Sequence, residues 1–140
     1  MRGRQALAIA RRWIGTPYLH QASAQGAGTD CLGLLRGVWR EMYGSEPEVV
    51  PAYTPDWSEV TGEERLWRAA RTHLVPSEIG PGAVLLFRMR NGAVAKHLGI
   101  AGEQQTFVHA YARHGVVESP LSDPWRRRIV GCFQFPEGTS

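Results

Sequence analysis

The sequence predicts an α+β domain, with N-terminal helices packed on a roughly five-stranded antiparallel sheet. Three observations predict it. Apolar residues of the first half recur at helical spacing. The second half breaks into short runs rich in β-branched and aromatic residues. Asn91-Gly92 between the first two of those runs is a hairpin signal, which makes the strands a meander.

Taken in order, Ala6, Leu7, Ala10 and Trp13 form the apolar stripe of a first helix, which Gly15 and Pro17 end. A loop from Thr16 to Thr29 leads to a second helix opening at Cys31. Thr29 and Asp30 are good N-cap residues there, because their side-chain oxygens can accept from backbone N–H groups of the first turn. Leu32, Leu34, Leu35, Val38, Trp39 and Met42 carry the helical pattern, and Gly44 stops it. Ser45 to Trp57 holds Pro47, Pro51 and Pro55 and reads as an irregular loop. Ser58 opens a third helix to about His73, with Val60, Trp67, Ala70 and Leu74 as its buried positions. Strands are expected at Ala83 to Met89, Leu98 to Ala101, Thr106 to Tyr111, Val116 to Glu118 and Ile129 to Phe135.

A chain of 140 residues is one domain's worth and can bury a core without disulfides. Hydrophobic content of 43% and charged content of 21% are those of an ordinary globular domain. No apolar run approaches the ~20 residues that span a bilayer. Ala6 to Ala10 is too short for a signal-peptide core and runs into Arg11 and Arg12, so no export signal is expected. Two cysteines far apart make neither a disulfide framework nor a zinc spacing. The charge of +3 suits an anionic substrate or partner. Arg126-Arg127-Arg128 is the one basic run and reads as a solvated turn, so nucleic acid is not the expected partner.

Cys31 is the residue that needs explaining. In the first turn of a helix, backbone N–H groups and the helix dipole favour a thiolate, so the thiol is expected to titrate low. A hairpin centred on Glu103 would set His97 directly opposite His109, on the sheet face that meets the Cys31 helix. A Cys31–His97–His109 row then gives a nucleophile, a general base that later protonates the leaving amine, and an orienter for that base. Backbone N–H groups at the helix start, and the hydroxyl of Tyr18, could stabilise an oxyanion. His20 lies near the Cys31 loop and can line a cleft, and Asp30 stands beside the thiol. His73 and His114 look like surface residues, and Cys132, in a strand without polar company, reads as core. A zinc site made of Cys31, His97 and His109 lacks the closely spaced ligand pair usual for that metal.

Five segments in order resemble the NlpC/P60 cysteine peptidases. They are Gly15-Thr16-Pro17-Tyr18, Thr29-Asp30-Cys31-Leu32-Gly33-Leu34, Pro81-Gly82-Ala83-Val84-Leu85-Leu86-Phe87, His97-Leu98-Gly99-Ile100 and Phe107-Val108-His109-Ala110. The resemblance implies a papain-like α+β fold and hydrolysis of peptide bonds in peptidoglycan stems, commonly at a γ-D-glutamyl–diamino acid bond. Cys31 matches the family nucleophile, His97 the base, His109 the third polar residue, and Tyr18 the tyrosine near the active site. No metal or organic cofactor is implied. Leu32 stands where members often have Ser, and Leu19-His20-Gln21-Ala22 where many have a Trp-Gly-Gly-like stretch. The short length and the loop from Pro51 to Trp57 look most like the phage-tail or gene-transfer-agent branch. That branch implies tail or baseplate partners, synthesis in the cytoplasm and action at the cell wall. Two rival readings stay open: a non-catalytic tail module that keeps the fold, and an N-acyl amidase with the same Cys–His chemistry.

Overall fold

Ala6, Leu7, Ile9 and Ala10 recur at helical spacing along α1 (Arg2–Arg12), and all are buried together with Trp13 just beyond it. In the computed structural model, which describes residues 2–47, 65–88 and 97–137, this stripe packs on α2 (Cys31–Tyr43). The second helix begins and ends as its local chemistry dictates. Asp30 caps its N-terminus. Gly44 takes a left-handed φ of 90° and donates its N–H to the Arg40 carbonyl at 2.8 Å. Between the two helices lies a small hairpin of β1 (Ser23–Ala24) and β2 (Gly28–Thr29), where a plain loop was expected.

A third helix, α3 (Arg65–His73), buries Leu66 and Ala70, with Leu74 just after it; Trp67 is only half-buried. The expected helix start at Ser58, the buried position Val60, the proline-rich stretch from Pro51 to Trp57 and the Asn91-Gly92 turn lie outside the described residues.

The remaining elements are β3 (Val75–Pro76), β4 (Val84–Phe87), β5 (His97–Ala101), β6 (Thr106–Tyr111), β7 (Gly115–Pro120), α4 (Asp123–Arg126) and β8 (Ile129–Gln134). They build one antiparallel sheet in the order β3-β8-β4-β5-β6-β7. The sheet therefore has six strands among the described residues, not five. The extra one, β3, is a two-residue edge strand too short to show a period.

Both faces of this sheet are covered. Val84, Leu86, Leu98, Ile100, Val108 and Ala110 pack with α1 and α2 into the larger core. Their sequence neighbours Ala83, Leu85, Phe87, Ala101 and Phe107 point the other way, into a smaller core with Leu121 and Trp125. Gly99 lies on this second face, close against Phe107 and His109. A Cβ there would sit 2.8 Å from Phe107 Cδ2 and 3.2 Å from His109 Cβ. Gly99→Ala is therefore expected to destabilise the fold by about 1–3 kcal/mol through overpacking. Urea unfolding of the variant checks this, and an unchanged midpoint would show that the ring of Phe107 yields freely.

Candidate active site

The site is assembled around one buried carboxylate. Asp30, 3% exposed, accepts the Gly33 N–H on Oδ1 and the Gln21 N–H on Oδ2, each at 2.7 Å. The first bond caps α2 and fixes Cys31 at its first position. The second holds the preceding loop, in which Gln21 has a left-handed φ of 67°. Pro17 to Leu19 runs beside Thr29: Thr29 donates its N–H to the Pro17 carbonyl, and Leu19 its N–H to the Thr29 carbonyl, both at 3.0 Å. That pairing brings Tyr18 close to Cys31 and Asp30. Burial, then the negative charge of those two groups, pushes the Tyr18 phenol up to about 12. It stays a hydrogen-bond donor across the neutral range.

Cys31 is half-buried, and its sulfur meets the backbone N–H groups of Leu98, Leu32 and Cys31 itself. Those donors favour the thiolate, as a helix start should. They are outweighed: burial, then the Asp30 carboxylate, pushes the thiol up to about 12. The low-titrating thiol expected from the helix start alone is thus corrected by its surroundings.

The Leu98 amide also sets Cys31 at the beginning of β5, one residue from His97. His97 Nε2 lies 2.9 Å from His109 Nδ1, with the rings 5.1 Å apart and nearly perpendicular. The pair arises from a register other than the expected one. Ile100 opposes Val108 and Ala101 opposes Phe107, so the hairpin is centred on Gln104 rather than Glu103. His97 and His109 are diagonal neighbours, not directly opposed. The physical reason is the turn. Gln104 and Gln105 take the left-handed φ values of 54° and 63°, while Gly102 does not. A shift of two residues preserves which face each side chain occupies, so the histidines still meet.

The face itself is a second correction. His97 and His109 do not lie on the side that packs against α1 and α2. They sit on the opposite side, with Phe87 5.7 Å from His97 and Phe107 4.1 Å from His109, ring to ring. Trp125 lies 5.7 Å from His97 and 5.2 Å from His109 and closes over both. His97 is 8% exposed and His109 is 1% exposed. Burial, then the neighbouring His109, pushes His97 down to about 3; burial, then His114, pushes His109 down to about 4. Both imidazoles are neutral at pH 7, as a general base must be. His109 Nε2 in turn lies 2.9 Å from Ser119 Oγ. The Leu98 amide thus links a half-buried thiol at a helix start to the strand that opens with a neutral, ordered imidazole.

Residues 15–134 match the family model described as the NlpC/P60 family. The chain belongs to the NlpC/P60 family. It is 29% identical to the gamma-DL-glutamyl hydrolase of Bacillus subtilis (strain 168), over 90% of this chain and 28% of that protein. It is 30% identical to the murein DD-endopeptidase MepS/murein LD-carboxypeptidase of Escherichia coli (strain K12), over 83% of this chain and 54% of that one. It therefore spans about half or less of the length of these two relatives. Among solved structures, an NLP/P60-family protein from Staphylococcus aureus subsp. aureus Mu50 superposes with a TM-score of 0.67 at 20% identity, covering 98% of this chain and 42% of that chain. The NlpC/p60 domain of the peptidoglycan hydrolase SagA gives 0.66 at 19% identity, covering 96% of this chain and all of the other. The fold is that of NlpC/P60 domains.

The two NlpC/P60 motif departures have structural explanations. Leu32 lines an apolar hollow between α2 and α3 with Leu35, Trp39 and Leu66, so its side chain serves packing. Leu19 covers Gly28, whose missing Cβ would sit 2.8 Å from the Leu19 Cβ. His20 is brought near the site, its Nδ1 3.9 Å from Asp30 Oδ2. His114 is exposed as expected and stacks on Tyr111. His73, expected at the surface, is half-buried with its ring edge-on to Trp39. Cys132 is half-buried, and Ser77 Oγ lies 3.9 Å from its sulfur, so it is neither pure core nor without polar company. Arg128, in the basic run, lies over the Trp125 ring at 5.7 Å. Among the described residues, no group of three or more His, Cys, Asp or Glu is placed to hold a metal ion.

Sequence reasoning missed Ser119 and Trp125. Ser119 falls one residue beyond the expected strand end at Glu118, and only the β6–β7 register, His109 opposite Val117, would reveal it as a neighbour of His109. Trp125 carries no local signal beyond the Ser122-Asp123-Pro124 helix start before it.

Proposed function

We propose that this NlpC/P60 chain is a cysteine endopeptidase that cuts stem peptides of bacterial peptidoglycan. The observation that carries the reading is the approach of a helix-start cysteine, through the Leu98 amide, to a buried imidazole whose far nitrogen is held at 2.9 Å by a second imidazole. The substrate is read from the relatives, one named a gamma-DL-glutamyl hydrolase and the other a murein endopeptidase. On that reading the scissile bond is the γ-D-glutamyl–diamino acid amide.

The steps follow from the side chains. His97 Nε2 faces His109, so Nδ1 takes the thiol proton as Cys31 Sγ attacks the scissile carbonyl carbon. Burial opposes a thiolate alone and an imidazolium alone. Moving the proton between them creates both charges together, and their mutual attraction offsets much of that penalty. Backbone N–H groups at the start of α2 and the Tyr18 hydroxyl meet the developing oxyanion. Collapse of the tetrahedral intermediate expels the amine, which takes its proton from His97 and leaves an acyl-thioester on Cys31. Water then attacks the thioester, with His97 as base, and releases the acid and the thiol. One amide bond and one water are consumed.

Digestion of purified peptidoglycan, with fragments identified by mass spectrometry, tests the reading. Fragments cut within the stem peptide are expected. Release of intact stems from glycan would make the enzyme an N-acyl amidase with the same chemistry. No release from several wall types by a folded protein would leave the non-catalytic tail module as the better account. Carriage in a phage-tail-like particle, with tail or baseplate proteins as partners and the cell wall as the site of action, is the delivery route drawn from the resemblance. Immunodetection in purified particles tests it, and absence from them would overturn it.

A further inference from the structure

We propose that Ser119 is a positioning residue for His97, acting through His109, by accepting the His109 Nε2–H in the order of hydrogen bonds that leaves His97 Nδ1 free to take a proton. The inference rests on the hydrolase reading for its consequence, but its geometry stands apart from it. His97 Nε2 to His109 Nδ1 and His109 Nε2 to Ser119 Oγ are both 2.9 Å. A neutral imidazole carries one N–H and one lone pair. Two such rings in series can therefore be ordered in two ways only.

In one order, His97 Nε2–H donates to His109 Nδ1, His109 Nε2–H donates to Ser119, and His97 Nδ1 keeps its lone pair. That nitrogen can then accept the thiol proton. In the other order the Ser119 hydroxyl donates to His109 Nε2, His109 Nδ1–H donates to His97 Nε2, and His97 Nδ1 already carries its proton. The base is then blocked. A hydroxyl accepts as well as donates, so Ser119 can close either order at rest; what it supplies is the acceptor that the productive order needs for the buried His109 Nε2–H. Once His97 has taken the proton, only the first order survives, because its Nε2–H must donate.

The fold holds Ser119 for this task. In β7 it opposes Phe107 and lies diagonal to His109, which opposes Val117, so both project from one face. The preceding residue, Glu118, accepts from Arg11 Nη2 at 3.0 Å and from Thr106 Oγ1 at 2.6 Å, which pins the strand to α1 and β6. With His109 1% exposed under Phe107 and Trp125, bulk water is a poor replacement for the hydroxyl.

Two measurements test the proposal. Ring ¹⁵N–¹H correlation spectra of the wild type at pH 7 should show both His97 and His109 protonated on Nε2. Protonation of His109 on Nδ1 would overturn the proposal, whether or not the protein is active. Ser119→Ala should lower kcat on peptidoglycan about ten-fold with KM nearly unchanged, and Ser119→Thr, which keeps the hydroxyl, should restore it. An Ala variant with wild-type kcat would overturn the proposal. A wild type that cleaves nothing would refute the hydrolase reading instead, and the spectra would still decide the role of Ser119. They also decide it if the Ala variant fails to fold.

Discussion

Cys31→Ala is expected to lower turnover on peptidoglycan by on the order of 10⁴- to 10⁶-fold, because no other group can form the acyl intermediate. The residual rate would reflect binding and oxyanion stabilisation alone. The fold should be nearly unaffected. Cys31 is half-buried, and Asp30 caps α2 through the Gly33 N–H rather than through the cysteine side chain. Release of new amine groups reads the rate, and far-ultraviolet circular dichroism reads the fold. A variant that retains most of the activity would mean that Cys31 is a small core residue beside a site that works some other way.

His97→Gln carries the second large effect, in two observables. Loss of the general base should lower kcat by about 10²- to 10⁴-fold. Its stability should also lose much of the wild type's sensitivity to acid. Unfolded, each histidine titrates near 6.5, whereas in the fold His97 is pushed down to about 3 and His109 to about 4. Between those values the unfolded chain binds more protons than the folded one. Stability is therefore insensitive to these two groups above about pH 6.5 and falls as the pH drops from there towards 4. For His97 alone the loss at pH 4 is on the order of 3 kcal/mol. Urea unfolding at pH 7 and at pH 4 measures it for both proteins. If His97→Gln loses as much stability as the wild type, the acid lability lies elsewhere.

The parts of this molecule that were legible in its sequence are those set by local chemistry. Asp30 and Gly44 bracket α2 because a cap needs only a neighbouring side chain or a left-handed backbone. The histidine pair was legible through strand parity, which survives a register error of two residues. The face it occupies was not. Both sides of β4 and β5 are buried, so Val84-Leu85-Leu86-Phe87 shows no alternation to tell the helix-covered side from the other. The strands β1, β2 and β3 are two residues long, below any period. The thiol shows the same division. Its helix-start position argues for a low-titrating sulfur, while long-range burial and the Asp30 carboxylate raise it. Trp125 and Ser119 join the site only through tertiary packing, across α4 and β7.

Paired digestion of one peptidoglycan preparation by the wild type and by Cys31→Ala, with soluble fragments read by mass spectrometry, decides whether the Cys31 thiol cuts the stem peptide. Stem-peptide fragments ending at the cut amide are expected from the wild type, and none above background from the variant. The same fragments from both proteins would contradict that role for the thiol.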